Sequence, residues 1–138
     1  MESKKVKTAP VVGNIQTWPL EKGKYTDLSY LRKQTKGNQE LMKKMIMLYL
    51  KQTPELLNTI KESTEEKDWV TVNTAVHKMI PSFWMMGIDP VFEKMAKTLQ
   101  EHTSKNEFTE EIPKLVFKLE EGCLLACKEL EVTITSLG

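Results

Sequence analysis

The chain has few of the residues from which metal, redox and disulfide chemistry are built. Two cysteines and two histidines are spread over 138 residues, with no CxxC and no clustered histidine, so a tetrahedral zinc site lacks its ligands. Cys123 and Cys127 stand four apart in a helical pattern, a spacing poorly suited to a disulfide. They fit small buried residues of a protein in a reducing cytoplasm, the expected location. No apolar run approaches the roughly 20 residues that a membrane span requires. The lysine-bearing N-terminus has no apolar segment that would make it a secretory signal. Charge of one sign is missing too: 20 Lys and Arg against 19 Asp and Glu leave a net +1. That balance gives no global field for nucleic acid or an anionic membrane. Aromatic and basic residues are not interleaved as a base-stacking platform needs, and no Gly-rich loop resembles a phosphate cradle. No segment alternates with the period of two that a half-buried strand shows.

What is present is helical periodicity, in a length suited to one domain with a single core. Residues 1–24 are Lys-rich and broken by Pro10, Gly13, Pro19 and Gly23. They are expected to form a flexible linker or N-terminal arm, with Trp18 as its one anomaly. Residues 25–138 are expected to form the folded domain. TDLSYLRK has a Thr/Asp start and predicts a short first helix. After Gly37, Asn38 caps a helix with apolar residues at 41, 45 and 48, and 42, 46 and 49 alongside. Thr53 and Pro54 then look like the cap and first position of another. Asp68 caps a stretch that ends at Gly87, and Asp89-Pro90 opens the next by the same device. Thr109 to Glu131 carries Ile112, Val116, Leu119, Cys123, Ala126 and Leu130 at 4-3-4-3-4 spacing, with Pro113 tolerated in its first turn. The last residues, VTITSLG, are β-branched and expected to fray. This pattern predicts an all-α fold, an antiparallel up-down four-helix bundle with one or two extra short helices.

VHKMIPSFWMMG, residues 76–87, holds the most informative residue. Trp69, Val72, Val76, Met79, Phe83 and Met86 form the stripe that faces the core. His77 lies beside that stripe, in a row with Val70, Asn73, Ile80 and Trp84. The imidazole should therefore emerge at the edge of the core, with an apolar collar around it of the kind that marks contact surfaces. Pro81 has no N–H to give the His77 carbonyl, so a bend or loosening is expected just beyond the histidine. Helical spacing alone is equally met by an ordinary boundary histidine.

From Tyr25 to about Glu131 the chain resembles a histidine-containing phosphotransfer (HPt) domain, the carrier of multistep two-component phosphorelays. The likeness rests on the opening YTDLSYLRKQTKGNQELMKKMIMLYLKQTPELLNTIKES and on the Lys67-Asp68-Trp69 start of the histidine helix. It rests further on AVHKM, and on Ser82 and Gly87 at five and ten residues after the histidine. Two positions depart from the family: its second Lys, three residues after the His, is Ile80 here, and its Gly at four is Pro81. The first change removes a cation that would help hold a phosphoryl group.

The resemblance implies that His77 accepts a phosphoryl group from a receiver-domain aspartate and passes it to another receiver. Lys78 would steady the phosphate, and Val70, Asn73, Ile80, Pro81 and Trp84 would dock the partner. A neutral imidazole is a competent nucleophile at cytoplasmic pH, and in-line phosphoryl transfer depends mainly on positioning and charge neutralisation. The receiver would bring Mg²⁺, so no cofactor and no metal of the chain's own is expected, nor any ATP-dependent kinase activity. The expected partners are response-regulator receivers, possibly of a hybrid sensor kinase, with no nucleic acid, no membrane and a monomeric state. Two alternatives stay open. One is a receiver-binding bundle that no longer relays phosphate. The other is the dimerising region of a sensor kinase, against which Lys78 stands where an acidic residue normally follows the histidine.

Overall fold

A computed structural model of the protein describes residues 22–106 and 108–137, so Trp18 lies outside the described residues. Five helices pack against one another: α1 (Ser29–Gln34), α2 (Gln39–Glu65), α3 (Trp69–Met86), α4 (Pro90–Ser104) and α5 (Glu111–Leu137). No strand occurs among the described residues; the only bridge there pairs Lys22 with Asp27. α3 packs against α2 and α4, α5 packs against the same two helices, and α1 lies on α3.

The helix starts are local devices. Asn38 accepts from Leu41 N, Asp68 from Thr71 N and Asp89 from Val91 N, each satisfying an amide that the first turn leaves without a partner. At the other end of α3, Gly87 adopts φ 60, a left-handed cap that suits glycine. The core takes the expected stripes of α3 (Val72, Val76, Met79 and Phe83) and α5 (Ile112, Leu119, Cys123 and Leu130). On α2 it takes Met42, Ile46, Tyr49 and Ile60, while Leu41 and Leu48 of the neighbouring row stand exposed.

Two expectations fail here. Thr53-Pro54 does not begin a helix, because α2 runs from Gln39 through Pro54 to Glu65. Ile46, Tyr49, Thr53, Leu57 and Ile60 are all buried, so one apolar stripe crosses the proline. Burial of that stripe offsets the hydrogen bond that Pro54 denies the Leu50 carbonyl. The C-terminal residues do not fray either. Thr133 is buried and its hydroxyl donates to the Glu129 carbonyl at 3.2 Å, while Ile134 packs against the core. α5 therefore extends to Leu137.

The chain entering α1 is held more tightly than its composition suggests. The Glu129 carboxylate of α5 accepts from the backbone amides of Lys24 (2.9 Å), Tyr25 (3.0 Å) and Thr26 (2.9 Å), and from the Thr26 hydroxyl (2.7 Å). Asp27 N donates to Met86 O and Asp89 N donates to Tyr25 O, both at 3.1 Å. Residues 22–24, assigned to the linker on composition, thus belong to a strap that ties the α3–α4 turn to α5. The physical reason is charge-assisted hydrogen bonding by a carboxylate far away in sequence.

Candidate functional site

α3 presents its outer face between α2 and α4. His77 is exposed on that face. Its Nδ1 lies 3.3 Å from Nε2 of Gln100 on α4, so Nε2 of the ring is the nitrogen left facing away from that partner. An amide and its half-turned form are interchangeable in outline. With the amide N–H toward the ring, Nδ1 accepts and the proton stays on Nε2. With the amide oxygen toward the ring, Nδ1–H donates and Nε2 carries the free lone pair. As placed, the amide nitrogen faces the ring, so Nδ1 accepts and the proton sits on Nε2; the outward nitrogen becomes the nucleophile in the half-turned amide.

The other sequence-chosen residues divide between this face and the fold. Val70 is 71% exposed and Trp84 is 55% exposed, and Pro81 and Lys78 are also open to solvent. Lys78 lines a shallow groove with Gln52, Glu55, Leu56 and Thr59 of α2, on the side of His77 away from Gln100. Ile80 is not part of an exposed collar: at 7% exposure it belongs to the core cluster. It stands three residues after His77, about 300° round the helix at 100° per residue, which turns it roughly 60° back toward the core stripe. Asn73 is also claimed by the fold. Its amide donates to Gln100 O and to Thr103 Oγ1, both at 3.0 Å, and so fastens α3 to α4 instead of meeting the imidazole. α3 stays helical through Pro81 from Trp69 to Met86, and the Ser82 hydroxyl donates to Met79 O at 2.6 Å.

Three residues of α4 join the site that sequence reasoning did not single out. Besides Gln100, Glu93 accepts from Trp84 Nε1 at 2.9 Å and pairs with Lys97 at 3.0 Å. The indole N–H, followed by Lys97, holds the Glu93 carboxyl below its usual range. Trp84 is thereby oriented along the α3–α4 seam with its ring still exposed. The helical spacing of Glu93, Lys97 and Gln100 on one side of α4 was a usable signal. What it lacked was the knowledge that this side faces the histidine row.

Elsewhere the chemistry is muted. Burial pushes the Cys123 thiol up to about 12 and the Cys127 thiol up to about 11, so neither supplies a thiolate nucleophile near neutrality. Among the described residues, no group of three or more His, Cys, Asp or Glu side chains is placed to hold a metal ion, and no helix is long and apolar enough to cross a membrane. Compared with known proteins, the chain matches no family model, no curated protein and no solved structure.

Proposed function

We propose that the protein is a phosphorelay carrier of the HPt kind, an antiparallel up-down four-helix bundle of α2 to α5 with α1 as an accessory helix. His77 takes a phosphoryl group from the aspartyl phosphate of one receiver domain and yields it to the aspartate of another. The observation that carries this reading is one exposed imidazole whose Nδ1 is engaged by Gln100 and whose Nε2 is free.

In the transfer, the Nε2 lone pair attacks phosphorus in line. The N–P bond forms as the bond from phosphorus to the receiver's carboxylate oxygen breaks, and the carboxylate leaves. Gln100 places its amide nitrogen toward Nδ1; a half-turn brings its carbonyl there instead, which holds the proton on Nδ1 and leaves the lone pair on the reacting nitrogen. It acts as a positioning residue. Lys78 is the motif cation available to the phosphate, and Val70, Pro81 and Trp84 offer the apolar contact surface. The divalent ion and the activating charges come from the receiver, and this chain contributes a rigid nucleophile.

The test is to incubate the chain with a phosphorylated receiver and Mg²⁺ and follow the label. Transfer should give an acid-labile, alkali-stable phosphoryl group on the chain that disappears in His77→Gln while the helical signal and melting stay unchanged. Label retained by His77→Gln overturns the assignment. A second reading, a receiver-binding bundle that does not relay, draws on Ile80. The position where the family carries a second Lys is occupied by a buried aliphatic side chain, so no cation stands there. Stable receiver binding without label on His77 selects that reading over the relay.

A further inference from the structure

The outer face of α5 carries an apolar and charged pattern that the relay reading does not use. Phe117 is 64% exposed, Leu124 43% and Val132 54%, and Glu121 and Lys128 between them are exposed as well. The spacing of 117, 121, 124, 128 and 132 keeps all five on one side of the helix, opposite Leu119, Cys123, Ala126 and Leu130 of the core. Glu121 and Lys128 form no ion pair among the described residues, whereas the neighbouring Glu120 is paired with Lys61 at 3.0 Å. Large apolar side chains alternating with unpaired charges suit a helix that meets another helix.

The order of these residues names the partner. A two-fold axis crossing α5 beside Leu124 sets a second α5 antiparallel to the first. It places Leu124 against its own copy, Glu121 of each chain opposite Lys128 of the other, and Phe117 opposite Val132. The surface is thus complementary to itself in both charge and apolarity, as an isologous interface requires. We infer that the protein self-associates through this face into an antiparallel α5–α5 dimer. α5 and α3 occupy separate positions, each packed on α2 and α4, so the pairing leaves the His77 face open. The inference is independent of the relay reading, and it departs from the monomer expected from sequence.

One helix face makes a small interface, at or below the roughly 1,200 Å² that marks weak, transient contacts. Sedimentation equilibrium of the full chain should therefore show a reversible dimer between about 10 µM and 1 mM. Leu124→Glu places two like charges at the axis and should weaken the dimer at least about tenfold, with the helical signal unchanged because the side chain is already exposed. Glu121→Lys should weaken it too. Adding Lys128→Glu to that variant reverses both pairs and should restore the parent's association. That rescue distinguishes pairing through this face from general charge effects. A chain that stays monomeric to about 1 mM, whether its α5 face is wet or covered by another segment, overturns the inference. So does a dimer that Leu124→Glu leaves intact, or a double charge reversal that fails to rescue.

Discussion

The two ends of α3 are built by different rules. At its C-terminal end, Met86 and Gly87 meet a strap of residues from 22 to 28, and Glu129 reaches in from α5 to accept four hydrogen bonds. About two and a half helical turns before that, His77 stands exposed with a single side-chain partner, Gln100. Dense polar wiring fixes the first region, and its groups are consumed by the fold. The second is left with one nitrogen unused. The relay proposed above would draw on that inequality: a scaffold that does not yield, and a reacting group with little else to do.

Gly87→Val should strike the strapped end hardest. The residue sits at φ +60, and a Cβ there would collide with the Asp27 carbonyl oxygen and Cβ. Left-handed strain and a backbone clash combine, so we expect a loss of about 3 kcal/mol or more in denaturant unfolding. A loss below about 1 kcal/mol would mean that the strap yields easily and that the contrast between the two regions is false.

Glu129→Gln tests the clamp itself. The amide keeps one oxygen but loses the charge and brings an N–H toward the amides of Lys24 and Tyr25. A loss of about 1.5–3 kcal/mol is expected, with faster hydrogen exchange at Tyr25 and Thr26. Exchange that is unchanged at those amides would assign the clamp to another group. Asn73→Ala belongs to the same comparison from the other side, because the residue lies in the histidine's row yet serves the fold. Removing its bonds to Gln100 O and Thr103 Oγ1 should destabilise by about 1–2 kcal/mol. If stability is unchanged while receiver binding falls, Asn73 belongs to the proposed docking surface after all.

How much of this was legible in the sequence follows the range of the forces involved. The caps at Asn38, Asp68 and Asp89 and the glycine at 87 act within a few residues, and each marks its boundary correctly. His77 was readable as an edge residue because the stripe from Trp69 to Met86 carries most of α3's core residues. Ile80 was misplaced because the 3-4 row hides a rotation: three residues on, it has swung toward Met79 and Phe83, while Trp84 has swung back. Gln100, 23 residues from His77, and Glu129, over 100 residues from the strap, depend on how helices meet, which periodicity does not encode. Pro54 was over-read, since a proline signals a start only when the apolar stripe also breaks.

The smallest effect offers the sharpest view of the histidine face. Trp84 Nε1–H is the leading cause of the depressed Glu93 pKa, and Trp84→Phe removes that donor while keeping an aromatic ring for docking. A carboxyl whose folded pKa lies below its unfolded value stabilises the protein above the unfolded value, and that contribution fades as pH falls through the folded pKa. The affected window therefore lies at and below the ordinary glutamate value of 4.5, and neutral stability should change little. Glu93 is exposed enough that water screens most of the gain, so the readout is the carboxyl's own NMR titration. Its midpoint should rise toward 4.5 in Trp84→Phe. On the proposed relay reading, receiver docking should survive in this variant and fall in Trp84→Ala, because the ring is what the partner would touch. A Glu93 midpoint that does not move would show that Lys97 alone holds the carboxylate and that the indole is free to swing. The α3–α4 seam would then be as loosely wired around Trp84 as it is around His77.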